Sequence, residues 1–70
     1  MSARETLGKN IRKQREHRKW SQEELAYQTG IHRTYISGLE RGVRNPTLSI
    51  IENIANTLEI PVSQLLEETK

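Results

Sequence analysis

The feature that most limits the possible folds of this chain is the spacing of a small residue, a glycine and a branched residue around one turn. Ala26 is followed by Gly30 four residues later and by Ile36 six residues after that. Two helices joined by a short turn can meet at a steep angle only if the crossing residue is small and the turn tolerates a positive φ. The spacing therefore predicts two helices packed across a tight turn, with Leu25 and Leu39 completing their apolar seam.

Capping and stop residues predict five helices along the chain, and no segment alternates as a strand would. Ser21 can cap the amide of Glu24, whose side chain can reach back in a capping box, and Thr47 can cap a later helix. Gly30 and Gly42 are expected left-handed stops. The predicted helices cover residues 3 or 6 to 17, 21 to 30, 32 or 33 to 41, 47 to the break at Pro61, and 62 to about 67. The apolar face of the fourth is predicted to contain Leu48, Ile51, Ile54, Ala55 and Leu58.

Length and residue types exclude several classes of protein. Seventy residues are enough for one small domain, near the lower limit for folding without a disulfide or a metal ion. The absence of cysteine and the presence of only two histidines argue against a metal site, so no metal and no cofactor is expected. No apolar run approaches the length of a membrane span, so we expect a soluble, cytoplasmic protein with no membrane partner.

Charge is distributed unevenly. Residues 1–46 contain ten Lys and Arg against five Glu, a net charge of +5, whereas residues 47–70 contain one Lys against four Glu, a net charge of −3. A basic region of this kind is typical of a protein that presents one face to a polyanion, although a solvated surface with chance clustering gives the same pattern.

The third predicted helix has a polar, cationic stripe with little bulk. At 100° per residue, Arg33, Ser37 and Arg41 fall on one line, with Thr34 and Gly38 beside it. Such a helix can enter a DNA major groove, where arginine pairs with guanine and Thr or Ser reaches base edges. We therefore predict base-reading roles for Arg33, Thr34 and Ser37, with Arg33 as the main reader because it lies in the first turn.

DNA phosphates are expected to contact the ends of this stripe and the neighbouring helix start and loop. The predicted backbone contacts are Gln22, Tyr35, Arg41, Arg44 and Asn45. Gly38 either permits a close approach or occupies a site where any small residue suffices.

The sequence resembles the phage-repressor/Cro (XRE) type of helix-turn-helix protein. The resemblance rests on SQEELA, Gly30, Ile36, LERG and PTL, and covers nearly the whole chain. It implies an all-α, lambda-repressor-like five-helix DNA-binding domain over residues 1–70, in which the second and third helices form the helix-turn-helix. The segment HRTYISGLERGVRNPTL in so short a chain is similar to the controller proteins of restriction-modification systems, which regulate their own gene and that of the endonuclease.

That resemblance also implies roles for single residues and for partners. Arg33 and Thr34 take base-reading positions, Tyr35 and Ser37 contact DNA or its backbone, and Arg44 and Asn45 hold phosphates. Arg15 and Glu40 match a charged pair that joins the first helix to the third. The expected partners are double-stranded operator DNA, a second copy of the chain and, for an activator, RNA polymerase.

A second copy is expected because one recognition helix reads only a few base pairs. The last two helices contain more apolar side chains than their inward faces can bury. The predicted two-fold interface consists of Ile50, Ile60, Pro61, Val62 and Leu65.

Other functions remain possible on the sequence alone. A short phage-type repressor or an autoregulatory antitoxin shares the motif, and a protein-interaction module could keep the scaffold without binding DNA. An enzyme is not expected, because neither histidine lies near a plausible nucleophile or ligand partner and the chain is short for a catalytic cleft.

Overall fold

In the described part of the chain, five helices form in the predicted order, but the fourth ends at Thr57, before the predicted break at Pro61, because the chain turns at the left-handed Glu59. The computed structural model describes residues 2–68, and within that range the chain is all helical, with no strand. The elements are α1 (Ala3–His17), α2 (Gln22–Thr29), α3 (Arg33–Glu40), α4 (Leu48–Thr57) and α5 (Val62–Leu66). The predicted all-α fold class is confirmed.

Side-chain caps fix the helix starts, with one difference from the prediction. The Ser21 hydroxyl accepts a hydrogen bond from the amide of Glu24 at 3.0 Å, as expected. The Glu24 carboxylate instead accepts from the Gln28 side chain at 2.8 Å, so the predicted capping box at α2 is only half formed. The complete box lies at the start of α1, where Ser2 and Glu5 bond reciprocally. The i,i+4 pairing within α2 competes for the Glu24 carboxylate.

Glycine ends two helices as predicted. Gly30 closes α2 with φ of 75°, and Gly42 follows α3 with φ of 76°, both in the left-handed region. The turn between α2 and α3 therefore has the conformation that their steep crossing requires.

Two other helices end at residues with side chains in the same strained region. Lys19 follows α1 with φ of 60°, and Glu59 follows α4 with φ of 58°. At both ends the next amide reaches back across the last turn, from Trp20 N to Arg15 O at 3.1 Å and from Ile60 N to Ala55 O at 3.0 Å. This pairing provides hydrogen bonds to carbonyls of the last turn and keeps the left-handed residues in place.

The core lies where the helices converge, and α3 is packed between α1 and α2. The predicted seam is present, since Leu25, Ile36 and Leu39 are buried and Ala26 packs against them. Leu48 differs from the prediction: at 63% exposure, this first residue of α4 lies outside the core. The buried apolar residues are Leu7, Ile11, Leu25, Ile36, Leu39, Ile54, Ala55, Leu58 and Leu65.

A glycine that the sequence reading did not single out sets the distance between α1 and α3. A Cβ atom on Gly8 would collide with the carbonyl oxygen of Leu39 and lie 2.8 Å from that of Glu40. The backbone of α1 therefore rests directly against the end of α3, which fixes how far the outer side of α3 projects.

The short α5 is held through its backbone and through one inward side chain. Nδ2 of the buried Asn10 donates to the carbonyl oxygens of Leu65 at 2.8 Å and Glu67 at 2.7 Å. Leu65 is fully buried. The prediction that Leu65 belongs to an intermolecular interface is therefore wrong: a five-residue helix docks through its inward position, and Leu65 occupies it. Leu66, at 45% exposure, is the outward leucine.

Among residues 2–68, no helix is both long enough and apolar enough to cross a bilayer.

Candidate nucleic-acid interface

A buried polar network locks α3 to the two preceding helices. The guanidinium of Arg15 donates from two nitrogens to the Glu40 carboxylate, at 2.7 and 2.9 Å, and from its third to the carbonyl of Trp20 at 2.7 Å. Nε2 of Gln22 donates to the same carboxylate at 3.1 Å. The predicted Arg15–Glu40 pair is thus present and joins α1 to α3 bidentately, which fixes orientation as well as distance.

The ion pair is shielded from water. The side chains of Arg15 and Glu40 are only 11% and 5% exposed. Hydrogen bonding to Glu40 is the main reason that the pKa of Arg15 is raised, with burial acting in the opposite direction. Arginine stays protonated throughout the physiological range in any case, so the cationic member of the pair keeps its charge.

The outward side of α3 carries the predicted stripe. Arg33, Thr34 and Arg41 are exposed, and Ser37 is half-buried. The side chain of Arg41 lies back along the helix, where its Nε donates to the carbonyl of Ser37 at 3.4 Å. These four residues, which we call the α3 stripe, share a face rich in hydrogen-bond donors.

His32, immediately before the α3 stripe, caps the start of α3. The sequence predicted only that the helix begins near this residue. Nδ1 of His32 accepts from the amide of Thr34 at 3.1 Å. A neutral imidazole with Nδ1 as acceptor has its proton on Nε2, so His32 presents an N–H donor beside Arg33. Histidine is not among the preferred capping residues, which is why capping rules gave no signal for this role.

Arg44 and Tyr35 lie together at one edge of the stripe. The guanidinium carbon of Arg44 lies 5.2 Å from the centre of the Tyr35 ring, a cation–π arrangement. Arg44 and Asn45 are both exposed, whereas Tyr35 is half-buried against the core. The loop after α3 therefore brings Arg44, one of the predicted phosphate contacts, next to the helix.

Gln22 is placed differently from the other candidates. One hydrogen of its side-chain amide is used by Glu40, so only the second remains for another acceptor. Its position in the first turn of α2 still leaves backbone amides directed outward. Its side chain acts first as a support for α3.

The predicted intermolecular surface belongs to α4, α5 and their connection, in the acidic part of the sequence. Ile50, Ile60 and Val62 are half-buried, and Pro61 is exposed. With Leu66 in place of the buried Leu65, we group these partly or fully exposed apolar residues of α4, α5 and their connection under the name α4–α5 patch.

Comparison with known proteins assigns the chain to a family. The sequence profile described as Helix-turn-helix, HTH_3, matches residues 11–65. The chain is 44% identical to the control protein C.SmaI of Serratia marcescens over 66 residues, covering 94% of this chain and 79% of that protein. It is 49% identical to the control protein C.BamHI of Bacillus amyloliquefaciens over 49 residues, covering 70% of this chain and 60% of that protein.

A solved structure gives the same assignment. The restriction-modification controller protein C.Esp1396I, a tetramer in complex with its natural 35 base-pair operator, matches with a TM-score of 0.81 and 32% identity, covering 96% of this chain and 99% of that one. The relatives are regulators rather than enzymes. The chain belongs to the HTH_3 family of helix-turn-helix proteins.

Proposed function

We propose that this chain is a sequence-specific DNA-binding transcriptional regulator, acting as the homodimeric controller protein of a restriction-modification system. The single observation that carries the proposal is the α3 stripe: Arg33, Thr34, Ser37 and Arg41 share one outward face. Helix-turn-helix proteins place the equivalent face in the major groove.

Three residues of α3, Arg33, Thr34 and Ser37, are assigned to base reading. Arg33 lies in the first turn and is exposed, so its guanidinium can pair bidentately with O6 and N7 of guanine. Thr34 and Ser37 offer hydroxyl groups, and Thr34 also offers a methyl group for thymine. His32 holds the start of α3 and adds a donor that can reach a phosphate.

The proposed phosphate contacts lie on either side of the base-reading residues. Arg41 lies towards the end of the stripe, while Arg44 and Asn45 project from the following loop. Tyr35 supports Arg44, and Gln22 and the first amides of α2 provide a contact on the other side. The concentration of positive charge before residue 47 favours this side of the molecule for DNA.

The controller role is supported by the regulators that the chain resembles and by the α4–α5 patch. Two chains joined through Ile50, Ile60, Pro61, Val62 and Leu66 would present two α3 helices to half-sites about 34 Å apart. The acidic α4–α5 end would then point away from the phosphates. An activating controller would also meet RNA polymerase, which we propose as its third partner.

A mobility-shift titration tests the function. The full chain is mixed with a duplex of its own upstream DNA or with a shuffled duplex of the same composition, at several salt concentrations. We expect preference for the upstream duplex and an affinity that falls steeply as salt rises. Equal binding to both duplexes would contradict sequence-specific regulation, and no binding to either would contradict the DNA-binding function.

A further inference from the structure

Gly38 lies in the middle of α3 yet is buried, because the side chain of Arg44 covers it. A Cβ atom at this position would lie 2.8 Å from Cγ and 3.0 Å from Nε of Arg44. Real Cβ atoms do not come so close to other heavy atoms, so any residue with a side chain would force Arg44 to move. The arginine stem can cross α3 at this level because residue 38 is glycine.

The same crossing brings the cationic end of Arg44 over Tyr35. The guanidinium lies 5.2 Å from the ring centre, and the residue as a whole remains exposed. Gly38 beneath the stem and Tyr35 beneath the guanidinium together form what we call the Arg44 seat. A loop arginine held at both points loses less conformational freedom on binding than a freely rotating one.

We infer that Gly38 is a positioning residue: it lets Arg44 lie across α3, so that its guanidinium is held on Tyr35 in place for a DNA phosphate. The inference rests on the proposed DNA-binding function and extends it. It also explains a glycine that weakens the helix, since glycine in a helix interior is less favourable than alanine.

A competing explanation is that Gly38 leaves room for the DNA itself. The nearest atoms to a built Cβ all belong to Arg44, which places this side of residue 38 beneath the protein's own arginine. The two explanations predict different effects of Gly38→Ala on DNA affinity in a protein that lacks Arg44. Only a direct steric conflict with DNA would still weaken binding there.

The free protein provides the first test. Protons above the face of an aromatic ring resonate upfield, so the Arg44 side-chain protons of the wild type should be shifted upfield by Tyr35. Gly38→Ala should return them towards values typical of a mobile arginine while the melting temperature stays equal or rises. Unchanged Arg44 shifts in folded Gly38→Ala would overturn the inference. Tyr35→Leu removes the ring, so the change it causes in the Arg44 proton shifts measures the contribution of the Tyr35 ring.

The second test is a double-mutant cycle on operator DNA. Gly38→Ala should weaken binding by roughly tenfold and lower the slope of log affinity against log salt by about 1 for each chain, as Arg44→Ala does. In the Arg44→Ala background, Gly38→Ala should change neither quantity. A purely structural role for Gly38 would leave the salt slope unaltered.

Two outcomes of the cycle overturn the inference. If Gly38→Ala weakens binding equally with and without Arg44, the methyl group conflicts with DNA directly. If Gly38→Ala binds as the wild type does, the seat has no role in binding. Failure of the wild-type chain to bind any duplex would instead overturn the proposed function, and the resonance shifts of the free protein alone would decide whether Gly38 seats Arg44.

Discussion

Glu40 shows at the scale of one residue how the recognition helix is held. Its carboxylate accepts three hydrogen bonds, two from Arg15 and one from Gln22, and is nearly inaccessible to water. Removing one partner of such a pair leaves an uncompensated buried charge, so these residues tolerate replacement poorly. The exposed arginines of the stripe, Arg33 and Arg41, are not held in a buried ion pair, so their side chains remain available for DNA.

Arg33 and Arg44 are predicted to contribute to binding in different ways. Arg33→Ala should reduce the preference for operator over shuffled DNA more than it changes the salt slope, because a base contact discriminates between sequences. Arg44→Ala should weaken binding to both duplexes and reduce the slope by about 1 for each chain, because a phosphate contact does not discriminate between sequences. Competition titrations at several salt concentrations measure both quantities. The opposite pattern would mean that the two roles are exchanged.

Glu5 gives the fold a local dependence on pH. Its hydrogen bonds with the backbone and the side chain of Ser2 lower the pKa of its carboxyl below the ordinary 4.5. A lowered folded-state pKa stabilises the protein above the ordinary value, and the stabilisation is lost as pH falls through the folded-state value. Glu5→Gln should therefore melt at a lower temperature than the wild type at neutral pH, with the difference shrinking below pH 4.5. Melting curves across this range check it, and a pH-independent difference would contradict it.

The α3 stripe could be predicted from the sequence because its polar residues recur with the period of a helix. Arg33, Thr34, Ser37 and Arg41 share a face because their spacing follows 3.6 residues per turn. The seating of Arg44 on Gly38 was not readable, because it depends on the path of a loop after the helix has ended.

At the scale of helices, the ends of the elements were largely predictable because caps are local. Ser21 and Thr47 each bond an amide three residues ahead, and Gly30 and Gly42 adopt the expected left-handed conformation. The attachment of α5 to α1 was not predictable, since Asn10 and Leu65 are 55 residues apart and neither residue type indicates the other.

The packing of α1 on α3 predicts opposite results for two glycines that both lie inside helices. Gly8→Ala should destabilise the fold by about 1–3 kcal/mol, because its methyl group meets rigid backbone carbonyls and α1 must move away. Gly38→Ala meets only a flexible side chain and serves as the matched control. Urea denaturation of both variants compares them. Equal stabilities would show that α1 can shift without cost.

At the scale of the whole molecule, the basic and acidic parts of the chain contribute different proposed binding surfaces. The α3 stripe lies on the basic part, and the α4–α5 patch lies on the acidic part. The sequence indicated that the last helices hold surplus apolar residues, but it misassigned Leu65. One turn of helix offers too few residues to tell the inward leucine from the outward one, and the packing against α1 decides between them.

The α4–α5 patch is predicted to hold two chains together. Val62→Lys should yield a monomer that binds its operator far more weakly, since a lysine in an apolar interface has no partner. Tyr27→Lys is the matched control for sedimentation only, because Tyr27 is 82% exposed on α2 and lies outside the patch but beside Arg33. Sedimentation velocity distinguishes the species. A Val62→Lys protein that sediments as a dimer would place the interface elsewhere.

The left-handed turns at Lys19 and Glu59 mean that this small domain is less thermostable than its architecture permits. Glycine adopts that conformation without the steric cost borne by other residues, although it also makes the unfolded chain more flexible. Exchanging Lys19 for glycine should stabilise the fold by about 1 kcal/mol or less. The same exchange at Glu59 also removes its exposed ion pair with Arg18, so the gain there is smaller. Both positions lie outside the α3 stripe. Laboratory evolution at elevated temperature could therefore raise the thermal stability there without changing the sequence specificity for the operator.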